Sequence, residues 1–321
     1  MNGFGDGVGD WLVAVRAIHF AASAMIAGVL LFRIAVAVPA LRSAPSTAQL
    51  VEAKTLRVAW ISLGISAASG VAWILLQAPA MSGLSFSEAM TADVIGTVMT
   101  ETQFGLFAEI RLVLTMMVAA CLAYDPYPTA RWLGLASSLS LIAAVAATGH
   151  AGATEGTAGL VHLVADAVHL VASAAWIGGV LALVLLIRAA RRTDPEAWPS
   201  LVRDATGRFS ILAILSVSAL LVTGIVNGAV LVGSLRALLV TKYGQLLMLK
   251  IALFAVMLGF ATVNRFRLTP RLAGLPNGAR ELDAVRRLTR NCTIEIALGL
   301  AIFVIVGALG TMHPAIHLVP L

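Results

Sequence analysis

Histidines are the residues of this chain whose chemistry is easiest to interpret, and there are six of them: His19, His150, His162, His169, His313 and His317. After His162, three further side chains follow at intervals of four, three and four residues, the spacing of one helical face: Asp166, His169 and Ser173. A carboxylate that accepts an imidazole N–H fixes the tautomer of the ring and raises its basicity, as at many metal-binding histidines. The pattern therefore predicts a metal site with imidazole ligands and Asp166 as the orienting acceptor.

The composition places these residues in a membrane. Of the 321 residues 60% are hydrophobic and only 12% are charged, and the mean hydropathy is +0.94. So few charges cannot form a water-soluble surface, and the apolar runs lack the alternation of a membrane β-barrel. The net charge of +6 is typical of membrane orientation signals rather than of a nucleic-acid-binding protein. Cys121 and Cys292 both lie in or beside apolar runs, so no disulfide framework or CxxC metal site is expected.

Eight apolar runs are long enough to cross about 30 Å of hydrocarbon. Because helices satisfy every backbone group within lipid, the sequence predicts an all-α integral membrane protein with eight transmembrane helices. The N-terminal run has no basic leader, so we expect it to be retained as the first helix. The eight runs are Trp11 to Val38, Val58 to Ala78, Phe104 to Tyr124, Trp132 to Thr148, Leu160 to Ile187, Phe209 to Val232, Leu246 to Asn264 and Cys292 to Met312.

The connections alternate in charge along the chain. Those after the first, fifth and seventh helices are rich in Lys and Arg, whereas the stretch from Met81 to Gln103 has three acids and no basic residue. By the positive-inside rule, both termini are predicted to be periplasmic. All six histidines then map to the outer half of the membrane or to its outer surface.

The two halves of the chain resemble each other in order, which predicts two parallel four-helix repeats, residues 1–150 and 151–321. The first and fifth helices align after one gap, so that His19 pairs with His169 inside the bundle and His150 with His313 at its mouth. At 1.5 Å per residue the inner pair lies roughly 12 to 15 Å deep, and ionisable residues at such depth are functional candidates. The other aligned pairs are Ser23 and Ser173, Ser69-Gly70 and Thr223-Gly224, Thr102 and Thr241, Gly105 and Gly244, and Arg111 and Lys250.

Several interpretations of these histidines remain open. Imidazoles supported by a carboxylate suit copper, zinc, iron or nickel. His19 and His169 could instead be axial ligands of a haem b in a membrane electron carrier, or the chain could bind metal without transporting it. His162 alone is equally consistent with a simple hydrogen bond to a neighbouring helix. No Walker loop, nucleophile elbow or HExxH motif is present, so neither nucleotide hydrolysis nor hydrolytic catalysis is expected. We expect no enzyme, with a redox activity as the alternative if a haem is bound.

Several motifs resemble the copper resistance protein D (CopD) family. These are His150-Ala, His162-Leu-Val-Ala-Asp-Ala-Val-His169 and Trp176-Ile-Gly-Gly, followed over about residues 204–314 by Arg208-Phe-Ser, Thr223-Gly-Ile-Val-Asn227, Thr241-Lys-Tyr-Gly244, Lys250, Asn264-Arg265, Pro270-Arg271 and Glu295.

The resemblance implies a multi-pass protein of the bacterial inner (plasma) membrane that functions in copper homeostasis. It further implies transport of copper from periplasm toward cytoplasm, with a periplasmic copper carrier of the CopC type as partner. Our hypothesis is that copper is captured near His150, His313 and His162 and then bound deeper by His19 and His169. Asp166 is the expected orienting acceptor.

Overall fold

The computed structural model describes residues 7–42, 44–152, 156–195, 198–273 and 279–318, and within these ranges it contains helices and no strand. All eight predicted membrane helices are confirmed, which makes the chain an all-α multi-pass membrane protein. In chain order, the first to eighth helices are Gly9–Ala40, Pro45–Ser82, Gln103–Ala123, Pro128–Thr148, Gly156–Thr193, Trp198–Val232, Lys242–Leu272 and Leu282–Leu309.

Several helices are longer than the apolar runs that predicted them. The second and fifth each have 38 residues, about 57 Å at 1.5 Å per residue, well beyond the hydrocarbon thickness. Their extra turns are polar and continue out of the apolar layer, so hydropathy does not mark them as helix. The second helix begins with Pro45 in its first turn and ends at Gly83, whose φ of 72° is left-handed.

The first and fifth helices form the centre of the bundle. Of their most apolar stretches 72% and 78% are buried, against 6% in the seventh helix, which faces outward. The two central helices cross at Gly28 and Gly178. A Cβ added to Gly28 would lie 2.7 Å from the Gly178 Cα, so only glycine permits this approach.

Equivalent contacts recur in the two halves. Gly28 and Gly178 each follow the paired histidine by nine residues, so the gap in the sequence alignment is unnecessary up to this crossing. The third and seventh helices begin alike, because Thr102 and Thr241 each accept a hydrogen bond from the backbone N–H three residues later. These equivalences support the division into residues 1–150 and 151–321, which we retain as a proposal.

Two short helices, Ala92–Glu101 and Leu235–Val240, were not predicted from the sequence. Each directly precedes one of these threonines, and neither is long enough to span a membrane.

An ionic network joins the first, second and fourth helices and the connection between the third and fourth. Arg33 lies at the start of a π-helical turn, Arg33–Ala37, and its guanidinium bonds both carboxylate oxygens of Asp125, one of them at 2.7 Å. Glu52 accepts from Arg33 and, at 3.1 Å, from Arg131. The network lies at the end of the bundle where the basic connections are found, opposite the end with His150.

Candidate functional site

A cavity of about 460 Å³ lies beside the outer half of the fifth helix. Its walls come mainly from the fifth to eighth helices, with a contribution from the first. Its lining is mainly apolar and is interrupted by a small set of polar side chains. The polar side chains are Arg16, His150, His162, Asp166, His169, Ser173, Asn227, Tyr243 and Lys250.

His169 is held in this cavity with a defined tautomer. Its Nδ1 lies 2.9 Å from the Thr223 hydroxyl oxygen, and that hydroxyl donates its single proton to the Ala219 carbonyl at 2.6 Å. Because the hydroxyl proton is already used, Nδ1–H of His169 must be the donor to Thr223. The Nε2 lone pair is therefore available to a metal ion, as in histidines oriented by a neighbouring acceptor.

His19 has the same tautomer but different surroundings. Its Nδ1 lies 3.0 Å from the Ser66 carbonyl oxygen, which can only accept, so Nδ1 is the protonated nitrogen. Its Nε2 is buried with no hydrogen-bond partner. The ring packs edge-on to Trp73 at 5.5 Å, and His19 is not among the residues that line the outer cavity.

Trp73 fills the part of the first half that corresponds to the cavity. The Arg16 and Arg111 guanidinium carbons lie 4.8 and 4.5 Å from its ring centre, a double cation–π contact. Trp73 follows Ser69 by four residues, just as Asn227 follows Thr223. In the proposed alignment of the two halves, the indole of Trp73 and the smaller amide of Asn227 therefore stand at equivalent positions.

Asp166 lies in the cavity wall but accepts its hydrogen bond from Asn227, at 3.1 Å. The His169 Nδ1 instead bonds Thr223, so Asp166 is not the acceptor for that nitrogen. The expectation that Asp166 orients one of the two histidines, His162 or His169, stays a prediction. Asp166 nevertheless places a carboxylate in the same cavity as His169, together with the Lys250 ammonium. Asn227 was expected from the sequence to lie in an outer polar cavity, and it does. Thr223 was missed as a site residue, although its four-residue spacing from Asn227 within a polar motif was a usable signal.

His150 lies at the mouth of the cavity. Its Nε2 is 3.2 Å from the Leu309 carbonyl oxygen, and its ring packs 6.1 Å from that of Tyr243. Burial lowers the pKa of His150, the bond to Leu309 opposes this shift, and the nearby charges of Arg16, His313 and His317 add to it. The two C-terminal histidines thus lie near enough to influence the mouth, and both are exposed.

The structure therefore brings four of the predicted residues into one cavity: His150, His162, Asp166 and His169. His313 lies near the mouth, and His19 lies in a separate, packed position. Among the described residues, no three His, Cys, Asp or Glu side chains are grouped closely enough to hold one metal ion. The imidazoles are thus distributed along the cavity rather than gathered at one point.

The haem alternative receives no support. His19, on the first helix, is hydrogen-bonded to the second helix, and His169, on the fifth helix, is hydrogen-bonded to the sixth. The two rings are therefore held by different neighbouring helices. A bis-histidine haem needs both rings to face one macrocycle.

The eight membrane helices define a multi-pass membrane protein, and three histidines, His150, His162 and His169, line its outer cavity. Two family models match the chain: "Copper resistance protein D" over residues 203–309 and "Copper resistance protein D-like, N-terminal domain" over residues 8–160. The chain belongs to the copper resistance protein D family and is a multi-pass inner-membrane protein.

Three curated proteins illustrate the relationship. Copper resistance protein D of Pseudomonas syringae pv. tomato is 28% identical over 67% of this chain and 70% of its own length. Inner membrane protein YebZ of Escherichia coli (strain K12) is 27% identical over 73% and 77%. Copper transport protein CutJ of Bacillus subtilis (strain 168) is 29% identical over 51% of this chain but only 27% of that protein. No solved structure matches the chain.

Proposed function

We propose that this protein binds periplasmic copper through the histidines of the outer cavity and transports it across the inner membrane. The observation that carries the proposal is His169, whose Nε2 lone pair is left free in a cavity that also contains His150, His162 and Asp166. Neutral imidazole is a good copper ligand. The CutJ relative is named as a copper transport protein, which supports copper as the cargo.

The order of binding follows from exposure at the mouth and, inside the cavity, from position along the fifth helix. His313 is exposed and His150 is partly buried at the mouth, so copper arriving from the periplasm meets them first. His162 is 1% exposed and His169 lies farther along the same helix face, so they bind the ion after it enters. Asp166 supplies a negative charge that lowers the cost of a cation inside the membrane.

His19 is the equivalent position in the first half. Its buried Nε2 has no partner, so we propose that it also receives copper. The exposed histidines at the mouth, His313 and His317, offer a docking point for a separate periplasmic carrier of the CopC type. Such a carrier would deliver the ion directly to His150.

The test is the copper content of the detergent-purified protein, measured by mass spectrometry together with the absorption spectrum. We expect copper and no Soret band in the wild type, and loss of most copper in His169→Ala. Ser173→Ala is the matched control, because Ser173 lines the same cavity but its hydroxyl is already bonded to the His169 carbonyl oxygen at 2.8 Å. An unchanged copper content in His169→Ala would refute the site.

Transport needs a second measurement. Wild-type protein in liposomes should admit external copper, and His169→Ala should admit much less. Copper binding without uptake would identify a copper-binding subunit that does not transport.

A further inference from the structure

A second cavity, of about 200 Å³, lies on the other side of Trp176. The Trp176 side chain is 1% exposed and lines both cavities, so its indole separates the outer space from this inner one. The inner cavity lies between the fifth, sixth, seventh and eighth helices, toward the end that carries the arginine-rich connections. Its polar lining comprises Thr206, Ser210, Ser218, Thr262, Asn264, Arg265, Thr269, Cys292 and Glu295.

Glu295 is a buried carboxylate in this inner cavity that is bonded by neutral donors. It is 2% exposed and accepts from the Trp176 indole N–H at 3.1 Å and from the Asn264 amide at 2.7 Å. Asn264 in turn accepts from Asn291 at 2.8 Å. Within the described part of the chain, no Lys, Arg or His nitrogen lies within 4.0 Å of the Glu295 carboxylate. A carboxylate so placed in a membrane bundle marks a cation position.

A thiol accompanies this carboxylate. Cys292 precedes Glu295 by three residues, which places both side chains on one face of the eighth helix. Cys292 is free, is 2% exposed and lines the same cavity. Thr206, 4% exposed, adds a buried hydroxyl oxygen without a hydrogen-bond partner. Thiolate sulfur suits Cu(I), as it also suits zinc and iron–sulfur clusters, and of these copper is the ion that the proposed function supplies.

We propose that the inner cavity is a second copper position, in which the Cys292 sulfur and the Glu295 carboxylate bind Cu(I). Copper enters and leaves this position as Cu(I), so no electron is transferred. The thiolate is the ligand, and the displaced thiol proton passes to the surrounding water. This inference rests on the proposed function, since it takes copper to be the cargo that passes the outer cavity. The inner copper position provides ligands in the cytoplasmic half of the proposed copper pathway, where the sequence has no histidine.

Trp176 links the two positions. Its indole N–H donates to the same carboxylate that binds the metal, so Cu(I) at Glu295 competes with the bond that holds the indole between the cavities. Copper binding at the inner position therefore weakens the hydrogen bond that holds the Trp176 indole between the two cavities.

The experiment counts Cu(I) bound to detergent-purified protein under anaerobic conditions, in competition with a Cu(I) chelator of known affinity. The wild type should bind one more Cu(I) than the double variant Cys292→Ser, Glu295→Gln. Each single variant should weaken the inner position about tenfold or more. Thr262→Val is the matched control, because Thr262 lines the same cavity and its hydroxyl already donates to the Leu258 carbonyl at 2.7 Å.

The outcomes separate this inference from the proposed function. If the double variant binds as many Cu(I) ions as the wild type, the inner position is overturned, while copper loss in His169→Ala would still support the outer cavity. If His169→Ala keeps its full copper content and the double variant loses one ion, the outer assignment fails and the inner one stands. If the double variant does not fold, the single variant Cys292→Ser is the test, because it leaves the hydrogen bond between Trp176 and Glu295 in place. Wild-type Cu(I) affinity in Cys292→Ser would overturn the proposal.

Discussion

The ionic network around Arg33 tests how burial changes the stability that an ion pair contributes. One guanidinium is shared there by two acids in different surroundings. The Asp125 side chain is 9% exposed and that of Glu52 is 37% exposed. Removing one partner of a buried ion pair costs about 3–5 kcal/mol, because the other charge stays buried and unpaired. A solvent-exposed pair is screened and contributes about 1 kcal/mol or less.

We therefore expect Asp125→Asn to lower the free energy of unfolding by about 3 kcal/mol, the low end of that range, because Glu52 still pairs with the Arg33 guanidinium. Glu52→Gln should lower it by less than about 1 kcal/mol. The asparagine cannot offer Arg33 two carboxylate oxygens, and it also weakens the contact with Arg131, whose Nε lies 3.9 Å from Asp125 Oδ2. The measurement is unfolding in mixed micelles by increasing sodium dodecyl sulfate, followed by far-UV circular dichroism.

Two controls show whether burial is the cause. The pair Arg33→Met, Asp125→Leu removes both charges and should recover much of the stability that Asp125→Asn loses. The copper content of Asp125→Asn should equal that of the wild type, because the network lies at the opposite end of the bundle from His150. Equal destabilisation by Asp125→Asn and Glu52→Gln would refute the reasoning.

Two further predictions concern the central crossing and the mouth. Gly28→Ala should destabilise the protein by about 1–3 kcal/mol through overpacking, whereas Gly64→Ala, whose Cβ would meet nothing within 4 Å, should be neutral or mildly stabilising in the same assay; equal effects would contradict a backbone contact. Burial lowers the pKa of His150 below its ordinary 6.5, so its ring stays neutral and able to bind copper through mildly acidic pH. The contribution of His150 to stability is lost only as pH falls from 6.5 through the lowered pKa. Copper titrations of the wild type and His150→Ala at several pH values would show this as an acid inflection below 6.5 that the variant lacks, and an inflection at or above 6.5 would contradict it.

The sequence predicted the membrane helices well because their signal is local. Each apolar run must cross the hydrocarbon layer, so its length and composition suffice to find it. The polar turns that extend the second and fifth helices, and the short helix Ala92–Glu101, carry no such signal. Their positions depend on packing and capping, which hydropathy does not record.

The site was predicted in part, for the same reason. The face shared by His162, Asp166 and His169 follows from helical periodicity, and the structure places all three in one cavity. The separation of His19 from that cavity depends on helix rotation and on the bulk of Trp73, neither of which periodicity fixes. The inner cavity was missed because Cys292 and Glu295 face Trp176 only once three helices are assembled.

The crossing of Gly28 and Gly178 limits how this protein can change in evolution. In most packed interfaces a larger side chain on one helix can be accommodated by a smaller one on its partner. Here both partners already lack a side chain, so no compensating substitution exists for either position. Lineages that inherit this arrangement are free to alter the walls of the two cavities, but they must keep both glycines together.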